Sequence, residues 1–155
     1  MANLLEVEHL KKYFDTPKGL LYAVDDVNFS LEKGKTLGIV GESGCGKSTL
    51  GRVILHLLEP TDGQIIFEGK DITHLAPKEL KEQRKQMQMI FQDPFASLNP
   101  RKTVSSIIGE PLKIYNVCKT KEEYKRKVSE LMDKVGLTER LYNSYPHEMD
   151  GGRRQ

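Results

Sequence analysis

A chain of 155 residues has room for one domain with a substantial core. Its 37% hydrophobic and 30% charged residues describe a water-soluble globular protein. The net charge of +2, from 24 interleaved basic and 22 acidic residues, is too weak to argue for nucleic acid, and no basic run carries aromatics inside it. No stretch approaches the roughly 18 apolar residues of a membrane-spanning helix. The amino terminus, Met1-Ala2-Asn3-Leu4-Leu5-Glu6, has no charged segment followed by an apolar one and does not read as a signal peptide. Cys45 and Cys118 are far apart in unlike surroundings and are not expected to pair, which fits a reducing compartment.

Leu5 and Val7 alternate with Glu6 and Glu8, and Val27, Phe29 and Leu31 with Asn28, Ser30 and Glu32. Both segments predict half-buried strands, the second ending in a turn at Glu32-Lys33-Gly34-Lys35. Leu37-Gly38-Ile39-Val40 predicts a short buried strand. It runs into Gly41-Glu42-Ser43-Gly44-Cys45-Gly46-Lys47-Ser48-Thr49, which fits the phosphate-binding loop pattern G-x-x-x-x-G-K-[ST]. Leu50, Val53, Ile54, Leu57 and Leu58 then recur at helical spacing. Glycines let successive backbone N–H groups converge on phosphates, and the helix amino terminus adds the positive end of its dipole. Lys47 is spaced to reach the β- and γ-phosphates, and the Ser48 hydroxyl to ligate Mg²⁺. The motif predicts a nucleoside triphosphate bound with Mg²⁺, and by itself does not choose among kinases, GTPases, motors and transporters.

Pro60-Thr61-Asp62-Gly63 predicts a turn into a strand over Gln64-Ile65-Ile66-Phe67. Pro77 suits the first position of a short helix over Lys78–Arg84. Met87-Gln88-Met89-Ile90-Phe91 reads as another core strand. Beyond Pro100 the pattern turns helical. Val104, Ile107, Ile108, Leu112 and Tyr115 share a face, although Pro111 is expected to kink or shorten the element. Thr120-Lys121-Glu122-Glu123 is a capping box. It opens a helix striped by Tyr124, Val128, Leu131, Met132 and Val135 and capped by Gly136.

Two further strings choose among phosphate-loop proteins. Phe91-Gln92-Asp93-Pro94-Phe95-Ala96-Ser97-Leu98-Asn99-Pro100-Arg101 closes the predicted core strand, and Tyr145-Pro146-His147-Glu148-Met149-Asp150-Gly151-Gly152-Arg153-Arg154-Gln155 ends the chain. In this order the motifs resemble the ABC ATPases: Walker A, Q-loop, signature. The resemblance runs from about Leu4 to the last residue. It is strongest to the second ATPase subunit of bacterial dipeptide and oligopeptide importers, through the strings just quoted, Ala23-Val24-Asp25, Leu50-Gly51-Arg52 and Ile108-Gly109-Glu110-Pro111-Leu112.

The resemblance implies an α/β fold, an ABC-type nucleotide-binding domain truncated at its carboxyl end. Residues 1–92 would form a RecA-like core with an antiparallel β subdomain, 93–150 the Q-loop and helical subdomain, and 150–155 the start of the signature helix. It implies an ATPase of a peptide importer, peripheral on the cytoplasmic face of the bacterial membrane. That ATPase would work with a second ATPase subunit (a heterodimer, or a homodimer), two permease subunits docked on 94–115 and an extracellular peptide-binding protein. Gln92 would position Mg²⁺ and the attacking water, Phe14 or its neighbour Tyr13 would stack on adenine, and Asp150, Gly151, Gly152 and Arg153 would act on the partner's nucleotide. The alternative from another class is a non-transport ABC ATPase acting as a soluble nucleotide switch.

Two departures stand out. Asp150 and Arg153 replace the family's usual serine and glutamine, so the partner's γ-phosphate would meet a carboxylate unless Arg153 or Arg154 offsets it. The sequence also reaches Gln155 without a Walker B aspartate, a catalytic glutamate or a switch histidine. His9, His56, His74 and His147 all precede the signature. The chain therefore reads as an amino-terminal piece of a larger ATPase that binds ATP weakly and hydrolyses it poorly by itself; a natural nucleotide-binding module is the narrower reading.

Overall fold

The alternation of Leu5 and Val7 with glutamates places β1 (Asn3–Thr16) as the central strand of an antiparallel sheet. In the computed structural model, which describes residues 3–93 and 97–154, that sheet has the order β2-β1-β3-β4. The other strands are β2 (Gly19–Glu32), β3 (Asp62–Phe67) and β4 (Lys70–Asp71). Leu5 pairs with Leu31 on one side and Phe67 on the other, so the apolar sets of three strands fall on one face. Gly34 ends β2 at φ 78°, and the Lys35 N–H closes the expected turn on the Glu32 carbonyl at 3.1 Å.

The molecule divides into two compact units, Met1–Met89 and Ile90–Gln155. The core of the first gathers Leu5, Val7, Leu10, Val24, Ile65 and Ile72 from the sheet region with Leu50, Val53 and Ile54 of helix α1 (Lys47–Ile54). α1 ends earlier than its apolar spacing suggests, and Leu57 is exposed. Thr73 is the buried polar member: its hydroxyl accepts the Ile65 N–H at 2.9 Å and donates to Asp71 at 2.6 Å. Helix α2 (Pro77–Gln83) starts at its proline, as expected.

Two predicted strands are absent. Leu37–Val40 and Met87–Phe91 adopt no strand, although each is an apolar run. Val40 is 96% and Ile90 97% exposed. A continuous apolar run is the signal of a strand covered on both faces. A strand exists only where neighbours accept its backbone hydrogen bonds, and neither segment joins the ladder β2-β1-β3-β4.

The second unit is built on helices α3 (Val104–Ile114) and α4 (Lys121–Lys134). Val104, Val128, Met132, Leu137, Leu141 and Met149 form its core. Pro111 lies inside α3 without ending it, because α3 keeps an apolar face of Val104, Ile108 and Leu112 against that core. Thr120 caps α4 by accepting the Glu123 N–H at 3.1 Å, and the Glu123 carboxylate accepts the Lys119 N–H at 2.8 Å. At the other end Gly136 takes φ 71°, and the Leu137 N–H reaches the Met132 carbonyl at 2.9 Å, a Schellman closure. Of the predicted stripe, Val128 and Met132 are buried while Leu131 and Val135 are exposed. Short 3₁₀ turns at Glu139–Leu141 and Pro146–Glu148 lead to the final helix α5 (Gly151–Arg154).

Candidate functional site

The phosphate-binding loop precedes α1 in the first unit. Gly44 and Gly46 take φ 81° and 94°, values open to glycine at little cost. Gly46 occupies the N-cap position of α1 with no side-chain cap, and no acidic residue stands in the first turn. The free N–H groups and positive dipole end of an eight-residue helix thus face the loop. The Leu50 N–H bonds the Gly46 carbonyl at 2.8 Å and fixes the loop-to-helix transition.

Lys47 folds over the loop. Its ammonium donates to the carbonyls of Gly41 at 2.8 Å and Glu42 at 2.5 Å, and lies 3.5 Å from Cys45 Sγ. The Cys45 N–H closes a turn on the Glu42 carbonyl at 3.4 Å. A cation is therefore held where the loop converges.

A cavity of about 330 Å³ opens on this loop. One wall is the residues Gly44–Thr49; the other is Phe14 from β1 with Leu21, Tyr22 and Ala23 from β2. The two walls touch closely. A Cβ added to Gly46 would stand 2.1 Å from the Ala23 carbonyl oxygen, so only glycine allows the approach. Lys47, Ser48 and Phe14 share the cavity, whereas Gly41, Glu42 and Ser43 lie in the loop outside its lining. The Lys12 ammonium stands 5.0 Å from the Phe14 ring centre.

Tyr13, the second aromatic expected to stack on a base, is turned elsewhere. Its hydroxyl donates to Asp25 at 2.5 Å, and its ring meets Tyr22 edge-on at 4.6 Å. The hydrogen bond to Asp25, followed by burial, pushes the Tyr13 hydroxyl up to about 12. Tyr22 is the lining aromatic that sequence reasoning missed. It sits on β2 eight positions from Phe14 on β1, and only the hairpin, which folds β2 back beside β1, brings it to the loop.

Gln92 lies in the second unit, exposed at a bend; Pro94, Phe95 and Ala96 of the predicted Q-loop and docking segment, with Gln155, lie outside the described residues. The signature residues start α5. Asp150 accepts the Arg153 N–H at 2.9 Å and pairs with the Arg153 Nε at 3.3 Å. The carboxylate thus works as an N-cap and carries its own counter-charge.

A magnesium ion fits the chemistry of Ser48, whose hydroxyl is a hard oxygen ligand on the first turn of α1 in the cavity. Among the described residues, no group of three His, Cys, Asp or Glu side chains could hold a metal. No described helix is long and apolar enough to cross a membrane.

The profile of the family described as "ABC transporter" matches residues 24–155. The chain is 54% identical over 153 residues to the oligopeptide transport ATP-binding protein OppF of Bacillus subtilis, covering 98% of this chain and 50% of that protein. It is 46% identical to the dipeptide transport ATP-binding protein DppF of Haemophilus influenzae, covering 98% and 48%. The chain spans about half the length of the curated relatives it matches. Among solved structures, the dimeric ATP-binding cassette MJ0796 in a post-hydrolysis state with ADP and Pi superposes with a TM-score of 0.81 at 27% identity, over 97% of this chain and 65% of that one. The cbiO1 subunit of the Clostridium perfringens complex cbiONQ gives 0.72 at 25% identity, over 99% and 59%.

Proposed function

The chain belongs to the ABC transporter family, and we propose that it is the nucleotide-binding part of an ATPase that drives import of oligopeptides or dipeptides. The observation that carries this reading is the cavity uniting Phe14 with Lys47, Ser48 and Thr49. An aromatic wall offers stacking to a base without demanding a hydrogen-bond pattern, and the loop opposite offers N–H groups and a cation to phosphates. Phe14 rather than Tyr13 stacks on adenine. Lys47 holds the β- and γ-phosphates, and Ser48 ligates Mg²⁺, which neutralises charge developing on the phosphates. Gln92 orients the water and the metal, since its amide can both donate and accept.

The names of the relatives support peptide as the cargo, and the dimeric cassette supports work in pairs. A second ATPase subunit then faces Asp150, Gly151, Gly152 and Arg153 across the nucleotide. Two permease subunits dock on residues 94–115, and an extracellular peptide-binding protein delivers the cargo. The assembly is peripheral on the cytoplasmic membrane face. In support of docking, an apolar cavity of about 310 Å³ is lined by Leu98, Val104, Ile107 and Ile108 within that segment. Helices of 11 and 14 residues are too short for the long coiled coil of a repair-type ATPase, which favours import over a soluble switch. No carboxylate lines the nucleotide cavity, which supports weak turnover by this chain alone.

The test is expression of the full natural gene product with tagged permease subunits. Copurification with them, and loss of ATP binding and of peptide uptake on Lys47→Ala, are expected. Unchanged ATP affinity in that variant refutes the nucleotide site. Recovery of the ATPase free of any permease, with normal peptide uptake in its absence, refutes the import reading.

A further inference from the structure

A second cavity, of about 510 Å³, lies in the helical unit where α3 ends and α4 begins. Its size is that of a small-ligand pocket, roughly 300–1,000 Å³. Lys113, Lys119, Lys121 and Lys125 line it, the rings of Tyr124 and Tyr142 form walls, and no carboxylate lines it. The Lys113 ammonium lies 4.9 Å from the Tyr124 ring centre. Glu123, the acidic residue nearest the cavity in sequence, is engaged elsewhere: one oxygen accepts the Lys119 N–H at 2.8 Å and the other faces Lys127 at 3.7 Å. Glu122 is exposed on the first turn of α4.

Elsewhere Lys11 pairs with Asp62, Lys70 with Glu79 and Lys102 with Glu110, while Lys18, Lys35 and Lys78 stand exposed without an ion pair among the described residues. The ammonium groups of Lys119, Lys121 and Lys125 form no ion pair among the described residues. Like charges gathered around one concave surface repel one another, and an anion placed between them relieves the repulsion. The amino terminus of α4 at Thr120 and Lys121 adds its dipole from the same side.

We propose that this cavity binds a phosphate-bearing anion. Lysine ammonium groups act as mobile point charges that can approach a phosphate from several directions. A free phosphorylated small molecule or an anionic phospholipid headgroup supplies the same chemistry. The site does not depend on the import reading, because of its lysines only Lys113 falls within the segment assigned to permease docking.

The test uses the full natural gene product with saturating Mg-ADP. Inorganic pyrophosphate is titrated by calorimetry, and flotation is measured with phosphatidylcholine vesicles with and without phosphatidylglycerol. The variant Lys119→Gln/Lys121→Gln/Lys125→Gln is compared with Lys18→Gln/Lys35→Gln/Lys78→Gln, which removes the same charge at exposed positions elsewhere. Circular dichroism checks that both fold. Removing charge-assisted contacts should weaken binding by roughly tenfold or more in the cavity variant alone. Loss in the pyrophosphate titration identifies a free phosphate compound, and loss confined to phosphatidylglycerol vesicles identifies a headgroup. Equal behaviour of the two variants in both measurements overturns the proposal. Pyrophosphate binding that neither variant alters belongs to the phosphate-binding loop, so failure of this site and failure of the nucleotide reading remain distinct.

Discussion

Replacing Gly46 with alanine tests the meeting of loop and hairpin on which the nucleotide cavity rests. Two costs add at this position. A Cβ at φ 94° is disfavoured by about 1–2 kcal/mol. It also stands 2.1 Å from the Ala23 carbonyl oxygen, where ordinary contact begins at 3.4 Å. The loop and β2 must separate by at least about 1.3 Å, the difference between those distances. Such a shift moves the N–H groups of Lys47 and Ser48 out of line with a bound phosphate. Each charge-assisted hydrogen bond is worth about 1.5–3 kcal/mol, so losing two weakens nucleotide binding by roughly a hundredfold or more. The assay is equilibrium binding of a fluorescent ATP analogue, with urea unfolding of the same samples. Gly34→Ala is the control. Gly34 has φ 78° but nothing within 4 Å of an added Cβ, so it should lose about 1–2 kcal/mol of stability and keep its nucleotide affinity. A Gly46→Ala protein that binds within twofold of the parent refutes the reasoning. Equal weakening in both variants traces the effect to general instability.

One of the six tyrosines should titrate at about 12, because the Tyr13 hydroxyl donates to Asp25. The neutral phenol makes that bond, so its contribution to stability is present below the ordinary tyrosine value of 10.0 and is lost as pH rises through about 12. Asp25→Asn should return the late phenolate signal towards 10.0; a late phase that survives Tyr13→Phe counts against the assignment. In the helical unit a Cβ on Gly109 would lie 2.0 Å from the Tyr124 hydroxyl and 2.4 Å from the ring carbon bearing it. Gly109→Ala should therefore cost about 1–3 kcal/mol in urea unfolding, partly recovered by Tyr124→Leu; an unchanged midpoint argues against the close helix crossing. At the signature, Asp150→Ser should raise ATP turnover of the assembled complex severalfold, about 1 kcal/mol. Arg153→Gln, which strips the carboxylate of its counter-charge, should lower it; turnover that falls or stays level in Asp150→Ser and rises in Arg153→Gln would remove Asp150 from the nucleotide's surroundings.

Local chemistry was readable in the linear chain. The phosphate-binding loop, the capping box at Thr120, the αL glycine at 136 and the proline start of α2 each depend on residues a few positions apart, and their stereochemistry is fixed by the residue type itself. Alternation also marked β1 and β2, because one face of an antiparallel sheet is wet and the other dry. The apolar runs at 37–40 and 87–91 showed the limit of such reading. They carry strand composition, yet no neighbouring strand takes their hydrogen bonds, and pairing is not a local property.

Tertiary structure alone decided which aromatics reach the loop. Phe14 and Tyr13 are both aromatic and adjacent in sequence, yet Phe14 lines the cavity while the Tyr13 hydroxyl is held by Asp25. Tyr22 joins the cavity because the hairpin folds β2 back beside β1. The sequence by itself determined that a triphosphate-type loop and its helix exist, since glycine torsions and lysine spacing suffice. Which side chains face that loop, and that four lysines separated in sequence share one cavity free of carboxylate lining, depended on strand register and helix crossing, which long-range packing sets.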